Sequence, residues 1–274
     1  MGDDGFRGFP VRWQAHLVRI KRDRCATGKD KKSRFRAIFR RFAMRRGDGW
    51  SWGGAMKNRP TFGGCGVWCG PRRFDWRLII MNSFSVRPAV AGDESAVIAS
   101  LTMAFVSDPV LRWMYPDPVQ YLAHMPEFIR IFGGRAFVHG SAHVVEGVPG
   151  AALWLPPGVE PDEDALVGIL QTTVHERELA DVFSLLELMG PLHPAEPHWY
   201  APLIGVDPMH QRQGCGSALL DHAVAQFDRT GTLACLDATS EETLPLYQRY
   251  GFEVTGTLQA GASPPMFAMV RSPR

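Results

Sequence analysis

From Met81 to its C-terminus the chain has no lysine, although residues 1–80 are rich in basic side chains. That absence excludes a P-loop from the second piece, because such a loop needs a lysine to reach the phosphates. Long apolar runs are missing as well: none approaches the ~18 residues of a membrane span. The first residues also lack the compact apolar stretch of a signal peptide. Cysteine is scarce. Its five positions (Cys25, Cys65, Cys69, Cys215 and Cys235) make an odd number without zinc-ligand spacing. Cys65 and Cys69 have no second pair to complete a metal site, so no metal is expected, and a reducing cytoplasm is the setting that fits.

What is present divides sharply by charge. Residues 1–80 hold 20 Lys/Arg against 6 Asp/Glu, a balance of +14, while residues 81–274 hold 10 Arg against 22 Asp/Glu, a balance of −12. A shift of this size marks a boundary near Met81. The first piece alternates basic and aromatic clusters (Arg34-Phe35-Arg36, Phe39-Arg40-Arg41) and runs through Gly53-Gly54 and Gly63-Gly64 without a sustained helix or strand period. Such a composition buries too little apolar surface to offset chain entropy, so a disordered extension is expected over 1–80. Three readings stay open for it: a start codon placed upstream of a true initiator at Met81, a solvated tail, or a segment that meets nucleic acid or anionic membrane. Nucleic acid is expected nowhere else, and no membrane partner is expected for 81–274.

Along 81–274 the pattern predicts a short strand at 84–88 and a helix opening at Gly92-Asp93-Glu94 that ends at Asp108-Pro109. A second helix is predicted over 119–132, then a hairpin of 142–146 with 151–155 around Gly147-Val148-Pro149-Gly150. A mainly helical insert spans 162–189. The order then becomes strand 198–206, helix 214–228, strand 232–237, short helix 243–250, and strands 252–258 and 265–270. Strands alternating with helices indicate an α/β (α+β) fold: one mixed sheet flanked by helices.

The informative segment runs from Trp199 to Leu220, where an apolar strand enters a two-glycine turn and an amphipathic helix follows at once: Gln211-Arg212-Gln213-Gly214-Cys215-Gly216-Ser217. This arrangement aims unpaired backbone N–H groups and the positive end of a helix at one point, which suits a phosphate. The glycines let the anion approach without a Cβ in the way. A dinucleotide fingerprint would need Gly or Ala at position 219, which is Leu. On the motif alone, a plain glycine turn before a helix is the alternative.

Gln211-x-x-Gly214-x-Gly216 resembles the pyrophosphate loop of the GNAT-type N-acetyltransferases, and the element order over 84–270 is similar to that family's. A second stretch sits where the family has one: Leu236-Asp237-Ala238-Thr239-Ser240, then Tyr247-Gln248-Arg249-Tyr250-Gly251-Phe252. A looser likeness is to the puromycin N-acetyltransferase branch, through Glu196-Pro197-His198-Trp199-Tyr200 and Ala152-Leu153-Trp154-Leu155-Pro156-Pro157. The resemblance implies a mostly antiparallel mixed sheet and acetyl-CoA as co-substrate. The acceptor would be an amine of a small molecule, and a homodimer is left open.

It also implies roles. Ile204-Gly205-Val206 would splay from a neighbouring strand and offer backbone groups to pantetheine, and the N–H groups from Gln211 to Ser217, Gln213 and Cys215 included, would hold the pyrophosphate. Tyr247 would protonate the departing thiolate, since a phenol of pKa ~10 carries its proton at neutral pH; a tyrosine that merely packs on the sheet is the alternative. Two departures stand out. Thr243 occupies the place where the family usually has Asn, and Arg212 stands where Gly is common. Glu196 and Asp237 are the candidates for the base that takes the amine's proton. His193 and His198 read as rim residues, and Cys215 as a contributor of its N–H alone. A coenzyme-binding module without turnover, or an acyltransferase acting on a protein N-terminus, are the rival functions.

Overall fold

The computed structural model describes residues 84–274. The basic extension, the boundary near Met81, and Cys25, Cys65 and Cys69 lie outside the described residues. Among the described residues seven strands form one sheet: β1 (Val86–Pro88), β2 (Ala142–Val145), β3 (Gly150–Leu155), β4 (His198–Val206), β5 (Leu233–Ala238), β6 (Glu253–Leu258) and β7 (Met266–Arg271), in the order β1-β2-β3-β4-β5-β7-β6. All neighbours are antiparallel except β4 and β5. The helices are α1 (Glu94–Ala104), α2 (Pro109–Met114), α3 (Pro118–Gly133), α4 (Arg135–Val138), α5 (Glu163–Thr173), α6 (Glu176–Met189), α7 (Cys215–Thr230) and α8 (Leu244–Arg249). No described helix is long and apolar enough to cross a membrane.

Each face of the sheet has its own core. On one, Leu153, Leu155, Tyr200, Leu203 and Cys235 pack beneath α1, α3, α5 and α6. On the other, Ala152, Trp154, Trp199, Ala201 and Leu236 meet Leu219, Leu220, Ala223 and Phe227 of α7. β3 is buried along its whole length, which is why it reads as an unbroken apolar run rather than an alternation. Covering both faces of a strand removes the need for a polar side.

β4 is the element that shapes the site. Trp199 and Ala201 face α7, Tyr200 faces the opposite core, and strict alternation would send Leu203 back towards α7. Instead Leu203 shares the face of Tyr200. The phase slips by one residue at Pro202, where the register with β3 shifts from Leu153↔Leu203 to Leu155↔Tyr200. That extra residue is a β-bulge, and a proline is tolerated there because it has no N–H to give to a ladder. Beyond the bulge β4 no longer pairs with β5: their last partners are Ala201 and Leu236. The two parallel strands therefore part. β4 runs on beside β3, and β5 runs on beside β7.

One expectation is corrected. Asp108-Pro109 does not simply end a helix; it opens the next. Asp108 Oδ1 accepts hydrogen bonds from the Val110 and Leu111 N–H groups at 3.0 and 2.9 Å, and Pro109 takes the first helical position, where its missing N–H costs nothing.

Candidate functional site

A cleft of about 1090 Å³ fills the gap between β4 and β5 and continues under α2 and α6. One wall is a single contiguous run of chain. Ile204, Gly205 and Val206 line it from the freed end of β4, followed by Gln211, Arg212, Gly214, Gly216 and Ser217. Gln211 Nε2 donates to Val206 O at 3.0 Å, which ties the turn back to the strand. Gly214 is the residue before α7, with φ 102°, a left-handed conformation that glycine adopts without penalty. The helix's first bond runs from Ala218 N to Gly214 O at 3.0 Å, so the amides ahead of it have no intrahelical acceptor.

Gly216 is different. A Cβ there would meet nothing nearer than Leu246 Cδ2 at 3.5 Å, ordinary van der Waals distance. Packing does not demand a glycine in this first turn, where it costs up to about 1 kcal/mol relative to alanine. Its smallness keeps the outer face of the turn open. Arg212 has φ 60°, the conformation that explains why glycine suits this position. Its exposed side chain puts a cation beside the free amides. Gln213 and Cys215 do not line the cleft. Gln213 Nε2 turns back to Met209 O, and Cys215 is buried on the α7 side, where desolvation raises its thiol pKa.

The facing wall is assembled from distant parts of the chain. Tyr247, from α8, lines the cleft and stacks edge-on against Phe252 with ring centroids 6.1 Å apart. Burial, reinforced by the negative charge of Asp108, pushes its phenol up to about 12. Asp108 itself lines the cleft, and its second carboxylate oxygen accepts the Thr239 hydroxyl. Desolvation raises its pKa even though three hydrogen bonds oppose the shift. Proton-holding and proton-accepting groups thus share one wall. Behind them the cleft is apolar, lined by Leu111 and Met114 of α2, Phe132 of α3, and Leu186 and Met189 of α6.

The remaining candidates fall elsewhere. Asp237 lines the cleft, with its side chain only 3 % exposed. Its Oδ2 sits 2.8 Å from His193 Nε2, and burial together with the charge of Asp237 holds the phenol of Tyr200 protonated. Glu196 is exposed and outside the cleft; its carbonyl, not its carboxylate, is used, 2.8 Å from His198 Nδ1. Thr243 borders the cleft, but its hydroxyl donates to Ser240 O at 2.7 Å within its own turn. Asp108 was absent from the sequence candidates. Its signal was there, an acidic residue directly before a proline at a helix start, but it reads as a cap whether or not it also faces a ligand.

Residues 163–254 match the family described as the acetyltransferase (GNAT) domain. A solved structure of a histone acetyltransferase HPA2 and related acetyltransferase from Corynebacterium glutamicum is similar over 70 % of this chain and 97 % of its own length, with 27 % identity and a TM-score of 0.50. An apo agmatine N-acetyltransferase matches over 69 % of this chain and 99 % of its own, with 15 % identity and a TM-score of 0.50. Arylalkylamine N-acetyltransferase 2 from Aedes aegypti matches over 70 % and 99 %, with 12 % identity and a TM-score of 0.50. The last two likenesses concern the fold.

Proposed function

Because this chain carries an acetyltransferase domain of the GNAT type, we propose that it moves an acetyl group from acetyl-CoA to the amine of a small molecule with an apolar body, by direct attack. The observation that carries this reading is the parting of β4 and β5 after Ala201, which opens one continuous cleft from the glycine turn to Tyr247 and Asp108. The free amides of the turn and the cation of Arg212 suit the pyrophosphate. The unpaired edge of β4 from Leu203 to Val206 suits the amides of pantetheine, as an added strand would.

In this mechanism Asp108 takes a proton from the substrate ammonium, and the neutral nitrogen attacks the thioester carbonyl carbon. The carbon–sulfur bond breaks, and Tyr247 gives its proton to the coenzyme thiolate. A carboxylate with a raised pKa holds a proton more firmly near neutrality than an ordinary aspartate does, which favours the transfer. Asp108 serves better than Asp237, since Asp237 is engaged by His193 and its charge bears on Tyr200 and Cys235 rather than on Tyr247. Glu196 is left without a role. The apolar reach under α2 and α6 supports an acceptor with an aliphatic or aromatic body, in place of an extended peptide.

Coenzyme A release by the full chain, measured with a panel of arylalkylamines, polyamines, aminonucleosides and aminoglycosides, tests the proposal. The expected result is release with an apolar primary amine and a fall of about 10²-fold in kcat for Tyr247→Phe, with acetyl-CoA affinity unchanged. A chain that binds coenzyme A yet releases none with any amine is a binding module, and the reading fails. Tyr247→Phe turnover within threefold of the parent from pH 6 to 9 removes that residue from the mechanism.

A further inference from the structure

Away from the reacting groups, three soft donors meet. A ring nitrogen of His193, a ring nitrogen of His198 and Cys235 Sγ all lie within 4.8 Å of one another. The linear sequence hides this group, since the cysteine is far from the histidines and no ligand spacing repeats. Strand pairing creates it. Tyr200 pairs with Cys235 and His198 with Leu233, so His198 and Cys235 stand on one face of adjacent parallel strands, one alternation apart. His193, in the connection before β4, folds over that face with its ring 4.9 Å from that of Tyr200 and 6.1 Å from that of His198.

We infer that His193, His198 and Cys235 form a binding site for a thiophilic divalent cation of the zinc class, separate from the acetyl-transfer chemistry. The donor set fits: a thiolate with two imidazoles selects zinc over magnesium or calcium. The ring environments fit as well. His198 Nδ1 lies 2.8 Å from Glu196 O, which can only accept, so Nδ1 carries the hydrogen and Nε2 the lone pair. His193 Nε2 lies 2.8 Å from Asp237 Oδ2, so that nitrogen is turned to the carboxylate and Nδ1 is the one left for a ligand. Each imidazole is thus held from behind by an oxygen acceptor, the arrangement that fixes the tautomer of a metal-bound histidine and raises its basicity. Cys235, fully buried, supplies the third donor as the metal displaces its thiol proton, which passes to solvent, and a water completes four-coordination at the half-buried rim. Bound there, the cation joins the 190–197 connection to both strands at the end where they still pair, just below the place where they part.

Titration of the metal-stripped full chain with Co²⁺ tests this site. The expected result is one equivalent bound, with a thiolate-to-cobalt charge-transfer band in the near ultraviolet and the visible bands of a four-coordinate ion, all displaced by Zn²⁺. Replacing Cys25, Cys65, Cys69 and Cys215 together by Ser should leave the band intact. Cys235→Ser should abolish it, and His198→Gln at the rim should weaken zinc binding at least tenfold while far-ultraviolet circular dichroism stays that of the parent. A chain that shows no such band at stoichiometric cobalt, or a band that survives Cys235→Ser or is unmoved by His198→Gln, overturns the assignment. Coenzyme A release is read separately, so the fate of the acetyl-transfer proposal does not decide this one.

Discussion

The two walls of the cleft are built in opposite ways. The glycine-turn wall comes from one stretch, Ile204 to Ser217, whose strand, turn and helix N-terminus are neighbours in sequence. The Tyr247 wall joins Asp108, Thr239 and Tyr247 to apolar side chains of α2, α3 and α6; its central hydrogen bond links residues 131 positions apart. The first depends on backbone conformation, the second on tertiary packing. Function should therefore fail differently when each is disturbed: coenzyme affinity on one side, turnover on the other.

The largest effect should follow from the packed wall. Asp108→Asn keeps an oxygen to cap α2 but removes the base, so kcat should fall by about 10²-fold or more while acetyl-CoA affinity stays the same. Its stability should move the other way with pH. Asp108 holds its proton more tightly folded than unfolded, so its contribution is fully present below the ordinary carboxylate pKa of ~3.9 and is lost as pH rises through the higher folded value. The variant should thus gain stability relative to the parent between pH 3 and pH 7, as read by denaturant melts at both. A gain in the acid range alone would contradict the sign.

Next comes the local wall. Gly216→Val should lower coenzyme A affinity at least tenfold, about 1.4 kcal/mol, with α7 intact, since helix propensity favours the change and Leu246 leaves room. Unchanged affinity by calorimetry would break the distinction between the walls. The smallest effect is expected for Arg212→Gly, which relieves a left-handed residue worth roughly 1 kcal/mol but removes a cation from the turn. It should melt no lower than the parent and bind coenzyme A several-fold more weakly, the deficit shrinking with added salt.

The same contrast explains what could be read from the sequence. Strand 198–206 and the helix after Gly214 were legible because apolar periodicity, glycines and a helix start sit side by side. The helical insert was legible as a block, but its division at Val174 and His175 was not, since no glycine or proline marks it. Glu196 stands out for its position before a strand, yet it is exposed and outside the cleft. The bulge at Pro202 lies inside an apolar run and shows only when the facing of Leu203 is known. Asp108 could be recognised as a helix cap; its approach to Tyr247 depends on how α1, β5 and α8 pack, which no local pattern encodes.

Tyr250 donates from its hydroxyl to Ser217 O at 2.9 Å, so the residue after α8 is fastened to the first turn of α7. Its consequence is temporal. Whatever settles the glycine turn also settles the helix that carries Tyr247, three residues earlier in the chain. The donor coenzyme should accordingly enter first and the amine second, with product coenzyme A leaving last. Steady-state product inhibition would show coenzyme A competing with acetyl-CoA but not with the amine, and a random order of addition would mean that this tether transmits nothing.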